Sequence, residues 1–283
     1  MANLHKLVSQ IQSLPTLPQI VQQVITMVED PGVSSSNLAK TISIDVSLVS
    51  KILKVVNSAY YGLPRKISTL TQATVILGFN SIKNIVMTAS VFSAFNKNGK
   101  NERFDRKKLW EHSIGCAVAS KVLSKRIRLG VPEEAFVAGL VHDIGKIVLD
   151  QFLHTKFEQV LDVIDEKKVS FREAENEVLG LNHCHIGEWL CDKWNFPKQI
   201  QEAVAFHHSP GRAEKNLKMV AIVHLANAIS RLEGMGDGGG KKGAEIDVKC
   251  WEMLSISEEE LSELIVEIQE EYEKSSVFLE MLN

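Results

Sequence analysis

Long apolar runs are missing from this chain, as are a strong charge imbalance, a paired cysteine spacing and any convincing strand pattern. No uninterrupted apolar stretch approaches the roughly eighteen residues needed to cross a bilayer, so no membrane span is expected. The opening "MANLHKLVSQIQSLP" lacks the apolar core of a secretory signal. Four cysteines, Cys116, Cys184, Cys191 and Cys250, follow neither a disulfide framework nor a zinc-ribbon spacing. A reduced, cytoplasmic compartment is the expectation. The formal net charge of −3 gives no global pull toward nucleic acid or acidic lipid. With 45% apolar and 24% charged residues over 283 positions, the composition is that of a globular protein with a sizeable core. That length fits one large or two ordinary domains.

What is present reads almost throughout as helix, and the expected fold class is all-α. "TLPQIVQQVITMVEDPG" opens with Thr16 and Gln19 in capping-box spacing, repeats its apolar residues at helical period and stops at Pro31-Gly32. Asp45 is placed to cap "DVSLVSKILKVVN", and Gly78 to end "TQATVILG" before a longer helix after Asn80. The polar stretch "NKNGKNER", residues 96–103, is the candidate domain boundary. Helices are then expected near 106–129, 132–151, 156–167, 171–179, 184–194, 197–207 and 214–232. Their start signals are Asp105, Thr155, Ser170 with Glu173, and Asn182, with Pro197 in a first turn. "EGMGDGGGKKGAEID" has six glycines between 234 and 243 and reads as a mobile loop. An amphipathic acidic helix with a Ser257/Glu260 capping box follows it.

Nine histidines are present, and their placement says more than their number. His112 shares an apolar face with Leu109, Trp110 and Ile114 in "LWEHSIG". His142 and Asp143 interrupt the apolar run "AGLVHDIGKIVLDQF". His183 and His185 open "LNHCHIGEWLCDKW", and His207 and His208 close "AVAFHHSP". A single helical histidine on an apolar face is more often a satisfied core residue than a ligand. Burying several without a shared purpose is costly, however. A bundle that gathered His112, His142, Asp143, His183, His207 and His208 would hold several imidazoles and a carboxylate, the donor set of zinc, iron and manganese sites. Adjacent helical positions point about 100° apart, so His142 and Asp143 are placed to serve neighbouring ions, with the carboxylate bridging them. His5 and His154 read as surface residues, and His224 is left open.

The order H…HD…H…HH, centred on "HDIGK", resembles the HD superfamily of metal-dependent phosphohydrolases. The H-x-x-x-G spacing from His183 to Gly187 resembles its cyclic-dinucleotide phosphodiesterase branch. The first half, with "LPTLPQIVQQVI", "NSAYYGLP" and "ISTLTQATVILGFNSIKNIVM", is similar to the HDOD family, an HD-related output domain of bacterial signal transduction. The similarity runs from about Leu14 to Ile229. It implies an N-terminal helical subdomain, 1–100, packed on an HD-like helical bundle, 104–283. The bundle would carry the glycine-rich loop 233–247 and the C-terminal amphipathic helix. The resemblance also implies a ligand set. One ion would use His112, His142, Asp143 and a late-helix carboxylate, a position that falls here on Asn227. A second would use Asp143, His183, His207 and His208. Asn227 departs from the pattern, because an amide oxygen brings no negative charge. Lys146 matches the lysine of the HDxGK motif that approaches substrate phosphate.

The implied cofactor is a divalent transition metal, one or two ions of Fe, Mn or Zn. The HDOD family is regarded as mostly non-enzymatic, yet this chain keeps nearly all the ligands. The expected function is therefore a bacterial signal-transduction or regulatory domain whose site binds metal with weak or no turnover. Its partners would be signalling proteins or a nucleotide-type ligand. The alternative is a phosphohydrolase acting on a nucleotide or cyclic dinucleotide. A third reading, DNA recognition by the helix pair in "NLAKTISIDVSLVSKILKVVN" with Lys40, Lys51, Lys54, Arg65 and Lys66, is disfavoured. Its basic patch is modest, and such helix pairs are common in all-α proteins.

Overall fold

The structure is a computed structural model that describes Leu4, Leu7, Ser9 and residues 16–95, 101–239 and 246–282. Its regular structure is helical, as expected. Among the described residues no strand occurs, and the one β-type contact is an isolated bridge between Asn101 and Phe104. The chain divides into two compact units, Pro15–Lys97 with Gln269–Asn283, and Asn98–Ile268, the latter grouped with Met1–Leu14. Residues Gln269–Asn283, expected with the second half, thus group with the first.

The smaller unit contains α1 (Gln19–Glu29), α2 (Ser35–Ile42), α3 (Val46–Val56), α4 (Leu70–Leu77) and α5 (Phe79–Phe95). The Thr16/Gln19 capping box does not form. Pro18 takes the position before the helix, with φ of −51°, and Gln19 becomes the first helical residue. Asp45 does cap α3, accepting the Leu48 N–H at 2.9 Å. The "NSAYYG" stretch is explained by Asn57, which ties the α3–α4 connection down. Its amide donates to the Leu53 and Ile67 carbonyls, both at 2.8 Å, and its oxygen accepts the Ile67 N–H at 2.7 Å. Tyr60 then stacks edge-on against Phe278, with ring centroids 5.0 Å apart. Two lysines of the supposed DNA-reading pair are engaged within this unit. Lys51 donates to Ser93 Oγ at 3.0 Å, and Lys54 pairs with Glu280 at 2.8 Å. The turn between α2 and α3 presents aliphatic side chains instead, with Ile44 79% and Val46 75% exposed.

The larger unit contains α6 (Arg106–Arg126), α7 (Pro132–Val141), α8 (Ile144–Phe152), α9 (His154–Lys167), α10 (Phe171–Leu179), α11 (His183–Lys193), α12 (Lys198–Phe206) and α13 (Leu217–Leu232). Asp105 caps α6, Ser170 and Glu173 form a capping box on α10, and Asn182 caps α11, as the sequence indicates. Pro197 stands just before α12 rather than inside its first turn. Thr155 lies inside α9, which begins one residue earlier. The expected single helix over 132–151 is two helices. His142 ends α7 and Asp143, with φ −101° and ψ 10°, stands outside helical geometry between α7 and α8. The reading of this pair as neighbours on one continuous helix is corrected accordingly.

Helix α6 is the buried centre of the unit, with α7 against one side of it and α13 against another. The contact with α7 depends on Gly139, where a Cβ would stand 2.6 Å from the Cys116 carbonyl oxygen. Gly145 plays the same part between α8 and α11, where a Cβ would stand 2.1 Å from the His183 carbonyl oxygen. The described part of the glycine-rich segment is packed against α6 rather than loose. Met235 is buried, and the Asp237 N–H donates to the Lys108 carbonyl at 2.9 Å. Residues 240–245 lie outside the described residues, as does His5. No single helix among the described residues is long and apolar enough to cross a membrane. The α4–α5 pair meets the length and composition requirement only jointly, across a bend of 120°.

Gly139→Ala should lower stability by about 1–3 kcal/mol, because overpacking outweighs the gain in helix propensity. Chemical denaturation of the two proteins measures this, and an unchanged midpoint would contradict the close α6–α7 contact.

Candidate metal centre

Six segments of the larger unit aim polar side chains at one buried point. Helix α6 supplies His112, the α7–α8 junction His142 and Asp143, and α8 Lys146. The first turn of α11 supplies His183, the end of α12 His207 and His208, and α13 Asn227. His112, His142, Asp143, Lys146, His183, His207 and Asn227 are all buried, and His208 is partly so. The carboxylate of Asp143 is the hub. Its Oδ2 lies 3.3 Å from His142 Nε2 and 3.9 Å from His112 Nε2, and its Oδ1 lies 3.3 Å from His183 Nε2 and 3.6 Å from His207 Nε2. His112 Nε2 also lies 3.0 Å from Asn227 Oδ1, so the departing residue does reach the cluster.

The far side of three rings is tied to a fixed acceptor. Nδ1 of His142 donates to the Gly139 carbonyl at 2.7 Å, Nδ1 of His207 to the Val204 carbonyl at 2.9 Å, and Nδ1 of His183 to Glu175 at 2.5 Å. That fixes the ring orientations and turns each Nε2 inward. His183 and His207, held neutral, present lone pairs there, whereas His142 presents a proton that an ion would have to displace. Nε2 of His142, His183 and His207, together with Asp143 Oδ1, are buried and make no aligned hydrogen bond. Orphaned buried acceptors are costly. Convergent imidazole lone pairs beside a carboxylate are the donor set of a transition-metal ion, so the residues present fit one. The candidate ligands fall into two groups on either side of the hub, His112, His142 and Asp143 in one, and His183, Cys184, His207 and His208 in the other.

Lys146 points inward rather than toward an open cleft. Its ammonium pairs with Asp143 Oδ2 at 2.7 Å and donates to the Gly238 carbonyl at 2.6 Å, above the Phe171 ring. The glycine-rich segment thereby forms a strap over the site. A Cβ at Gly238 would stand 2.9 Å from His112 Nε2 and 3.5 Å from Asp143 Oδ2, so only glycine passes there.

Burial governs the charges. It pushes His112 and His207 down to about 3 and holds His183 and His208 well below the ordinary imidazole range. For His142 burial is outweighed by Cys116 and Asp143, which hold it up at about 10. Against burial, Lys146 and His142 keep Asp143 well below the carboxylate range. Burial pushes Glu175 up to about 8.

Glu175 was not singled out by the sequence, though a signal exists. In "FREAENEVL" it falls one turn after Phe171 and next to Ala174, an acidic residue in an apolar slot of an amphipathic helix. Cys184, in the second of the two groups, is likewise new. The remaining histidines have structural roles. His154 is exposed, and His185 completes the Asn182 capping box. His224 bridges the His207 carbonyl, at 2.7 Å, and the Asp247 N–H, at 2.9 Å.

Residues 14–210 match the family model for the HDOD domain. An HDOD domain protein from Geobacter sulfurreducens is similar at TM-score 0.85 and 27% identity, covering 97% of this chain and 96% of that one. A protein from Shewanella amazonensis SB2B named as a candidate phosphohydrolase is similar at TM-score 0.77 and 22% identity, over 100% and 98% of the two chains. A Treponema pallidum protein is 23% identical over 223 residues, which is 78% of this chain and 43% of the relative. The chain spans less than half the length of the curated relatives it matches.

Four imidazoles with lowered folded-state values take up protons mainly on unfolding. Below about pH 6.5 the unfolded chain therefore binds more protons, and stability falls as pH falls. Glu175, with its raised value, opposes one of the four between about pH 4.5 and 6.5. The net expectation is a loss of at least about 1.4 kcal/mol per pH unit from pH 6.5 toward 4.5, measured by denaturant unfolding. A flat profile would show that the rings are not held neutral.

Proposed function

The chain belongs to the HDOD family, and on that premise we propose that its HD-type centre binds a divalent transition metal as the core of a signalling domain, with weak or no turnover. The observation that carries this reading is the convergence of the buried, unpartnered Nε2 atoms of His183 and His207 on the unpartnered Oδ1 of Asp143. His112, His142, Asp143 and Asn227 would hold one ion, and Asp143, His183, His207 and His208 a second. Such an ion supplies Lewis acidity and an acidified bound water. The rest of the reading concerns the chain's own residues. Glu175 and the Gly139 and Val204 carbonyls orient the rings. Asp143 supplies the negative charge, and Asn227 provides an oxygen without one. Lys146 and the Gly238 strap exclude solvent from the carboxylate instead of presenting a cation to a substrate phosphate, which supports a regulatory rather than a hydrolytic role. Signalling proteins or a nucleotide-type ligand are the expected partners.

Phosphodiester hydrolysis is the second reading. The otherwise intact histidine set and the Shewanella amazonensis likeness favour it. Asn227 separates the two. Metal-loaded wild-type protein should leave bis(p-nitrophenyl) phosphate intact, and Asn227→Asp should create or raise hydrolysis if the remaining site is competent. Turnover by the wild-type protein would favour the hydrolase.

Protein purified without chelator should contain at least one equivalent of iron, manganese or zinc. Metal-free protein that takes up none of the three would overturn the proposal. Because His142 is held at about 10, an ion must displace its proton at neutral pH. Affinity should therefore climb at least about tenfold per pH unit between pH 6.5 and 8.5, with release of protons into weakly buffered solution. A pH-independent affinity would remove His142 from the ligand set.

A further inference from the structure

Cys184 stands outside the histidine-aspartate pattern, yet it is the side chain that completes the second group. We infer that Cys184 is a thiolate ligand to an ion shared with His183, His207 and His208, and that this position selects zinc, ferrous iron or cobalt over manganese. The inference rests on the metal-binding reading above and deepens it.

Ligand atoms of these four residues all lie within 4.8 Å of one another, the spacing of donors around one ion. Cys184 Sγ stands 4.0 Å from His207 Nδ1, the nitrogen that also donates to the Val204 carbonyl, so His207 would meet a shared ion through Nε2. The pair is not an accident of loose packing, because both ends are fixed. Asn182 caps α11 and accepts the Cys184 N–H at 3.1 Å, which sets His183 and Cys184 in the first turn side by side. Gly145 lets α8 approach that turn to contact distance. Glu175 grips His183 twice, accepting its backbone N–H at 3.0 Å as well as its Nδ1–H. Independently of the thiol, Nε2 of His183 and of His207 are fully buried and have no hydrogen-bond partner.

A buried cysteine is by default a small apolar side chain. Cys191 fits that description: it lies two turns further along the same helix and belongs to neither ligand group. Cys184 differs in that its sulfur lies within 4.8 Å of a ring nitrogen of each of three histidines. On binding, the ion displaces the thiol proton, which leaves to solvent as the sulfur–metal bond forms. A thiolate brings the second position a negative charge of its own, so Asp143 need not neutralise both ions. Sulfur is a soft donor, and a soft donor among imidazoles favours zinc, ferrous iron and cobalt over manganese. Cys116 is the rival thiol, buried one turn after His112 on the same helix.

The test is a cobalt titration of the full chain, stripped of metal, as wild type and as Cys184→Ser, Cys116→Ser and Cys191→Ser. Wild type, Cys116→Ser and Cys191→Ser should develop an intense near-ultraviolet sulfur-to-cobalt absorption. Cys184→Ser should lack it and bind cobalt at least about tenfold more weakly. X-ray absorption of zinc-loaded wild type should find one sulfur at about 2.3 Å, a measurement that needs no variant to fold. Cobalt bound without the sulfur band, and zinc without a sulfur neighbour, would overturn the role of Cys184 and leave the metal-binding reading standing. Loss of the band in Cys116→Ser alone would overturn it too, as would manganese competing with zinc on equal terms. No cobalt uptake by any form would overturn both readings.

Discussion

One buried carboxylate organises the larger unit. Asp143 is 2% exposed, and four imidazole nitrogens and an ammonium stand within 4 Å of it. A charge in such a place persists only when compensated. Here the compensation is the Lys146 ammonium together with a raised His142, and the remaining oxygen faces lone pairs instead of protons. The charge is thus met on the Oδ2 side, while on the Oδ1 side acceptor atoms face one another without a donor, and that gap gives the cluster its chemical character.

The helices are arranged so that this carboxylate can be reached from all sides. Breaking 132–151 into α7 and α8 frees Asp143 from helical geometry and leaves His142 able to bond back to Gly139. Glycine at 139 and 145 lets α6 and α11 approach that junction closely. The strap closes the remaining side, and it does so through backbone, the one group slim enough to lie against His112 and Asp143 together. Closure and donor convergence are therefore the same packing problem. The strap's Gly238 carbonyl, Lys146 and Asp143 are linked in a row, so movement at one is felt by the others.

Much of this was legible in the residues. Helical periodicity and caps such as Asp45, Asp105, Ser170 and Asn182 identify an all-α chain because those signals are local. The histidine order around "HDIGK" identifies the centre, because histidines on apolar faces stand out from their neighbours. The break after Val141 was not legible, since 132–151 is apolar enough to run as one helix and only tertiary contacts stop it. The glycine-rich segment misled for a related reason. Composition signals freedom of the backbone, and the structure uses the described glycines for slimness at a crowded point.

By itself the sequence determined the helices, the family and the residue types available to a metal, because periodicity, capping and donor chemistry belong to short stretches of chain. Tertiary structure alone decided which of those residues share a point in space. It put Glu175 behind His183, Cys184 beside His207, and Lys146 on Asp143 under a backbone strap. Those pairings join residues remote in the chain and rest on how closely helices pack, and no local pattern records that distance.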